Sequence, residues 1–277
     1  GATGASRYNW YPAADMLAIG ITSGKGGSGK TALAFHLAHG LARRGRRVIA
    51  IDLDPQNSLS YALNIDGAAV GLADVLRDRH PARAIRSARL EIAPNLHGIA
   101  SSRALYATGQ ALLAEPGGDA VLRAALAGIA GDYDLAILDG APGLDTFAGR
   151  AIVIAARGIV APLIPDPLNF HAVGALLATI EQARDRGANP DLELIGIAVT
   201  FYDDRLTLYR DGIEQLRAAG APVLRSRIGR SVRVAEAMGA HRPIQDYDPT
   251  NPRAAEFDAL TLEIEAWLKR NAPPTGS

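Results

Sequence analysis

The stretch Ser23-Gly24-Lys25-Gly26-Gly27-Ser28-Gly29-Lys30-Thr31 decides how the rest of this chain is read. From Gly24 to Thr31 it matches G-x-x-x-x-G-K-[ST], the pattern of a phosphate-binding loop. Glycines let the backbone curl until successive N–H groups converge on phosphate oxygens, and the N-terminus of a following helix adds partial positive charge. The surroundings suit that reading, because an apolar run over Met16–Thr22 precedes the loop and a helical pattern over Lys30–Arg44 follows it. Gly26, Gly27, Ser28, Gly29, Lys30, Thr31 and Ala32 are the expected nucleotide contacts. Lys30 is expected to reach the β- and γ-phosphates, and the Thr31 hydroxyl to ligate Mg²⁺.

Lysine and arginine together number 29, yet only three are lysine, and two of those, Lys25 and Lys30, lie in this loop. A chain that elsewhere uses arginine for positive charge places here a compact ammonium on a flexible stem, which suits a tight pocket.

Outward from the loop, aliphatic runs of strand length recur at Arg47–Asp52, Leu135–Asp139, Gly158–Ile164, Leu192–Thr200 and Val223–Ile228. Helical patterns recur at Thr146–Ala156, His171–Arg186, Leu206–Ala219 and Arg253–Arg270. Continuous apolar strands alternating with helices predict an α/β fold of the P-loop NTPase kind, a mostly parallel twisted sheet with helices on both faces. Between Asp66 and Gly131 the pattern is weaker, with a short helix at Leu72–Arg77, a hairpin around Leu90–Ala100 and a helix near Ala120–Ala130. No domain boundary emerges there, so the expectation is one domain over residues 16–270, between a flexible tail at 1–15 and a disordered tail at 271–277.

Hydrophobic residues make up 48% of the chain, ample for a core, and the formal net charge is zero. That balance argues against a globally basic nucleic-acid binder and leaves room for a local patch. With no cysteine, disulfides, cysteine-ligated zinc, iron–sulfur clusters and thiol nucleophiles are excluded together. No apolar run approaches the roughly 20 residues that span a bilayer, and residues 1–15 contain no apolar signal-peptide core. His36 and His39 are three apart on the first helical pattern with no evident third ligand, so both are read as packing residues.

Acids stand where strands end. In Val48-Ile49-Ala50-Ile51-Asp52-Leu53-Asp54-Pro55-Gln56 two carboxylates leave a buried strand at i and i+2, on the same side. In Leu135-Ala136-Ile137-Leu138-Asp139 a third follows four aliphatic residues in the form of a Walker B strand, so Asp139 is expected at a Mg²⁺-coordinated water. Open parallel sheets bind ligands at these carboxyl ends. Farther on, Arg225-Ser226-Arg227-Ile228-Gly229-Arg230-Ser231-Val232-Arg233 carries four arginines and no acid, a strip able to contact several phosphates of a DNA backbone.

Lys25 makes the loop specific: Ser23 to Thr31 resembles the deviant Walker A motif of the ParA/MinD ATPase family, and the likeness runs from about Met16 to Leu268. Asp52-Leu53-Asp54-Pro55-Gln56 resembles that family's Asp-x-Asp-Pro-Gln segment. Arg230-Ser231-Val232-Arg233, Glu236-Ala237 and Tyr247-Asp248-Pro249 are similar to a later stretch of ParA proteins. The resemblance implies that Lys25 reaches across a dimer to the partner's nucleotide, that Asp52 holds a magnesium-bound water and that Asp54 positions the attacking water. It implies non-specific DNA binding by Arg205 and Arg233, a role extended to their neighbours Arg225, Arg227 and Arg230, and an adenine pocket near Pro249. The function implied is that of a slow, partner-stimulated ATPase using ATP and Mg²⁺. Such a protein dimerises with ATP, binds DNA and an adaptor protein, and distributes a plasmid, chromosome or protein cargo over the nucleoid in the cytoplasm. The acids Asp258, Glu263 and Glu265 on the last helix make a poor lipid anchor, and Trp267 and Leu268 read as core, so no stable membrane binding is expected. A MinD-like membrane-cycling ATPase and a nucleotide-binding scaffold with little hydrolysis are the alternatives. Three departures bear on them: Gly140-Ala141-Pro142 replaces the usual Asp-Thr-Pro-Pro continuation, Ala32 a second threonine and Asn57 a glycine.

Overall fold

A computed structural model describes residues 16–166 and 169–271. The expected tail at 1–15 lies outside them, as do residues 272–277. In chain order the elements are β1 (Leu17–Ile21), α1 (Lys30–Arg43), β2 (Val48–Asp52), α2 (Ser58–Ala62), α3 (Leu72–Arg77), α4 (Pro81–Ala84), β3 (Leu90–Ala93), β4 (Leu96–Ile99), α5 (Ala104–Ala114) and α6 (Val121–Ala127). They continue as β5 (Leu135–Asp139), α7 (Phe147–Ala155), β6 (Gly158–Leu163), α8 (Phe170–Asp185), β7 (Glu193–Tyr202), α9 (Thr207–Ala218), β8 (Val223–Gly229), α10 (Val232–Gly239), α11 (Ile244–Tyr247) and α12 (Pro252–Asn271).

The eight strands form one sheet in the order β3-β4-β2-β5-β1-β6-β7-β8. All neighbours are parallel except β3, which turns back on β4 through Pro94-Asn95, with Asn95 at φ 64°. The alternation of side chains along each strand divides the core in two. Ile19, Ile21, Val48, Ala50, Leu135 and Ile137 point to the face covered by α1, α2 and α12. Ala18, Ile49, Ile51, Ala136 and Leu138 point to the face covered by α3 and α5 to α8. This is the expected doubly covered, mostly parallel sheet.

From β1 the chain crosses to β2 on one side, and from β5 it later crosses to β6 on the other. Strand order therefore reverses around β1 and β5, and the carboxyl ends there open the crevice in which such folds bind ligands. At the C-terminus, Asn271 is the last residue of α12 rather than part of a tail. Its amide donates to the Trp267 carbonyl and its side-chain oxygen accepts from Arg157, which extends the helix one residue beyond the expected end. Trp267 and Leu268 are each 5% exposed, in the core as the sequence indicates. His36 and His39 are buried too, His36 stacked flat on Phe257.

Candidate nucleotide site and arginine cleft

The loop after β1 adopts the form its glycines permit: Gly27 and Gly29 stand at φ 72° and 84°, a region costly to any residue with a Cβ. Gly29 leads directly into α1, so the loop amides and the helix N-terminus face one hollow. Thr200 at the end of β7 donates its hydroxyl to the Ser28 carbonyl at 2.9 Å, and Ser23 and Ser28 hydroxyls bond at 2.8 Å, which ties the loop to the sheet. Lys30 is buried, and its Nζ donates to the Lys25 carbonyl at 3.0 Å. Burial pulls its pKa down, while Asp139 and Asp54 oppose the shift. Lys25 is exposed, and its ammonium donates to Asn169 Oδ1 at 2.6 Å.

Asp52 and Asp139 are partners in register on adjacent strands, both fully buried. Asp52 is well served by donors. Oδ1 accepts from the Asp54 amide at 3.0 Å, and Oδ2 from the Ser60 amide at 2.8 Å and hydroxyl at 2.7 Å. Ser60 Oγ in turn accepts the Ser101 amide at 2.8 Å. Burial still raises the Asp52 pKa to about 6, with Asp54 adding to it against these bonds. No hydrogen bond of ordinary geometry reaches either Asp139 oxygen, although the Thr31 hydroxyl lies near enough to favour its charged form. Burial and then the Asp52 charge push its pKa well up, against Thr31 and Lys30. A buried carboxylate without a partner is costly unless a cation meets it. The side chains of Thr31, Asp52 and Asp139 are thus chemically suited to a hard, hydrated divalent ion, which takes oxygen ligands. Asp54 is half-buried, with one carboxylate oxygen accepting from the Gln56 amide at 2.9 Å.

Beyond Gly29 the loop borders an apolar hollow of about 150 Å³, lined by Ala32, Leu33, Phe201, Gly229, Val234 and Met238 among others. The departure to Ala32 takes one hydroxyl out of this lining, which still includes Thr200 and Ser231. Phe201, at φ 50°, holds a backbone conformation uncommon for an aromatic residue and turns its ring towards Gly29. Pro249 lies on an exposed turn and lines neither this hollow nor the cleft described next.

That cleft, about 800 Å³, is lined by Arg205, Arg227, Arg230 and Arg253 together with Phe201, Tyr202 and Tyr209. It brings three of the expected DNA-contacting arginines together. Arg227 lies 4.8 Å from the Tyr202 ring centre and donates to its hydroxyl at 2.9 Å, while Arg230 lies 5.4 Å from the Phe201 ring centre. Arg225 is exposed on β8 outside the cleft lining. Arg205 is ion-paired with Asp203 at 2.7 Å. Arg233 pairs with Glu236 and, at 3.1 Å, with Asp248, over the Tyr247 ring. The two arginines singled out by motif are therefore already neutralised within the chain, whereas Arg225, Arg227 and Arg230 make no ion pair among the described residues, although Asp203, Asp204 and Glu256 also line the cleft. Sequence reading missed Ser60, Ser101, Thr200 and Asn169. Ser60 reaches Asp52 only eight positions away, whereas Ser101, Thr200 and Asn169 act through contacts across 41, 172 and 144 positions, and none of the four stands in a recognisable motif.

Comparison with known proteins agrees with this geometry. The family model described as an AAA domain (AAA_31) matches residues 16–194. The chain is 35% identical over 260 residues to the chromosome-partitioning ATPase Soj of Thermus thermophilus, covering 91% of this chain and 97% of that one. It is 29% identical to the chromosome partitioning protein ParA of Myxococcus xanthus, over 92% of this chain and 89% of the relative. Among solved structures, the cobyrinic acid a,c-diamide synthase of Mycobacterium smegmatis with bound ADP and magnesium superposes with a TM-score of 0.77. Identity there is 26%, and coverage is 95% of this chain and 99% of that one. Taken with the two-lysine loop and the facing aspartates, these likenesses establish that the chain belongs to the ParA/MinD family of P-loop ATPases.

Proposed function

We propose that this chain binds ATP–Mg²⁺, pairs with a second copy around two nucleotides, holds DNA without sequence preference in that state, and releases it after hydrolysis stimulated by an adaptor protein. Its role on this reading is to position or segregate a plasmid, chromosome or protein cargo over the nucleoid. The observation that carries the reading is the Asp139 carboxylate, without a hydrogen bond of ordinary geometry and buried beside Asp52 at the mouth of a loop holding two lysines. Thr31, Asp52 and Asp139 would hold the magnesium ion, which when bound neutralises charge between the β- and γ-phosphates. Lys30 and the loop amides anchor the phosphates. The free oxygen of Asp54 orients the attacking water, a matter of alignment more than basicity. Lys25 reaches the partner's nucleotide. The adenine base takes the apolar hollow beyond Gly29, between Phe201 and Gly229. DNA phosphates meet Arg225, Arg227 and Arg230 first. Arg205 and Arg233 join only by leaving Asp203, Glu236 and Asp248.

The test has two arms. Asp139→Asn is expected to cut steady-state phosphate release by about 100-fold or more. Arg227→Ala with Arg230→Ala is expected to weaken ATP-dependent DNA retention by about tenfold or more and to reduce the salt slope by about 2, while binding of a fluorescent ATP analogue persists. Undiminished retention in the double variant removes the DNA reading. Liposome pelleting with ATP is the control for the membrane-cycling alternative, which the burial of Trp267 and Leu268 disfavours. Phosphate release that stays at background with DNA and adaptor present favours the scaffold reading.

A further inference from the structure

We propose that Asn169 is a positioning residue that holds the Lys25 ammonium inside its own subunit until nucleotide binds, and so sets how much nucleotide is needed to pair two copies. The proposal rests on the reading above that Lys25 acts on the partner's nucleotide.

Asn169 is built as a fixed acceptor. It is 6% exposed and immediately precedes α8. Its Nδ2 donates to the Ile164 carbonyl at 3.0 Å, and its backbone amide donates to the Asp166 carbonyl at 2.8 Å. With the nitrogen end of the side-chain amide committed to a carbonyl, the oxygen end faces Lys25 and accepts from Nζ at 2.6 Å. Lys25 by contrast is exposed, on a flexible stem, and makes no ion pair among the described residues. The hold is thus a single bond from a mobile cation to an immobile neutral oxygen.

The neutrality of the acceptor matters. A carboxylate in that place would grip an ammonium more tightly, and no polar group would leave it free. An amide gives an intermediate hold that a better acceptor, such as a phosphate oxygen, can outbid. The loop also supplies a trigger. The Lys25 carbonyl accepts from Lys30 Nζ at 3.0 Å and from Ser23 Oγ at 3.1 Å. When a phosphate takes Lys30, that carbonyl loses its one charged donor and keeps only the hydroxyls of Ser23 and, at 3.4 Å, Ser28, so the residue whose side chain Asn169 holds is less firmly tied at its other end. In the nucleotide-free chain both loop ammonium groups are therefore occupied internally. Apparent pairing affinity falls in proportion to the fraction of molecules with Lys25 released.

The proposal gives opposite signs for two substitutions at one position. In the full chain with a non-hydrolysable ATP analogue, followed by sedimentation, Asn169→Asp is expected to raise the analogue concentration at half-dimerisation by about threefold to tenfold. Asn169→Ala is expected to lower it by a similar factor. A merely structural role moves both variants the same way, and that result, or no shift in either, overturns the proposal. Because the chain has only three lysines, the ¹⁵Nζ ammonium signal of Lys25 can be followed directly by NMR. It is expected to be protected from solvent exchange in the nucleotide-free protein, and in Asn169→Ala of unchanged melting temperature that protection is lost. An unprotected signal in the unsubstituted chain also overturns the proposal. Lys25→Ala separates the two levels of inference. If it forms no dimers while the Asn169 variants leave the midpoint unmoved, only the Asn169 role fails. Normal dimers in Lys25→Ala overturn both.

Discussion

A Cβ at Gly140 would lie 2.8 Å from Ile152 Cδ1 and 3.2 Å from the Ile21 carbonyl, and one at Gly20 would lie 2.2 Å from Ile152 Cγ2. Ile152 on α7 is fully buried and fills the space that both glycines leave. The departure at Gly140 is thus one half of a packing exchange with α7, which one sequence in isolation could register only as a missing hydroxyl. Gly140→Thr is expected to destabilise the chain by about 1–3 kcal/mol through overpacking. Adding Ile152→Ala should recover part of that loss, read as urea midpoints; purely additive losses would sink the exchange. Asn57 is simpler. It replaces a glycine at φ 51°, and asparagine is among the few residues that accept a left-handed backbone.

Among elements, those fixed by strong local pattern were legible, and β5 matches the expected Leu135–Asp139 at both ends. The unread α5 shows what hides an element. Its inward positions Leu105, Thr108, Gly109 and Leu112 keep helical spacing, but two of the four are not apolar, so the periodicity is masked. Gly109 is small because a Cβ there would meet Phe147 at 2.8 Å, a cause that lies on α7 and not in the local sequence. The last strand of the sheet, β8, has its open amides covered. Glu263 accepts from the Arg225 and Ser226 amides and Glu256 from the Gly229 amide, which blunts an edge that would otherwise invite another strand. On α1, burial lowers the pKa of His36 to about 3 and of His39 to about 4. Both folded values lie below the unfolded value of about 6.5, so the unfolded chain takes up protons first and stability drains away as pH falls below that point. Each histidine is expected to cost about 2 kcal/mol at pH 5 relative to pH 7. His39 Nε2 has no partner to lose. His39→Leu should therefore remove about half of the pair's acid loss in urea melts at the two pH values, and an unaltered acid loss would refute this account.

Across the whole molecule, the parallel sheet, its order of layers and the three acids were readable because each depends on short-range pattern or motif. The Arg233–Asp248 pair, the Ser60–Ser101 contact and the Asn169–Lys25 contact depend on residues 15, 41 and 144 positions apart, brought together only by folding. The two faces of the sheet also differ in how firmly they seat the nucleotide loop. Of the 14 residues of α1, 11 are buried, packed between the sheet and α12. The loops at 54–58 and 142–146 carry half-buried or exposed residues instead. Hydrogen exchange with and without nucleotide is expected to change in those two loops and to leave α1 slow throughout. Exchange in α1 rising together with the loops would count against that division. The helix that receives the phosphates is in effect an anvil: it takes the blow of bond cleavage without recoil. News that the terminal phosphate has gone must leave by the lightly seated segments on its rim.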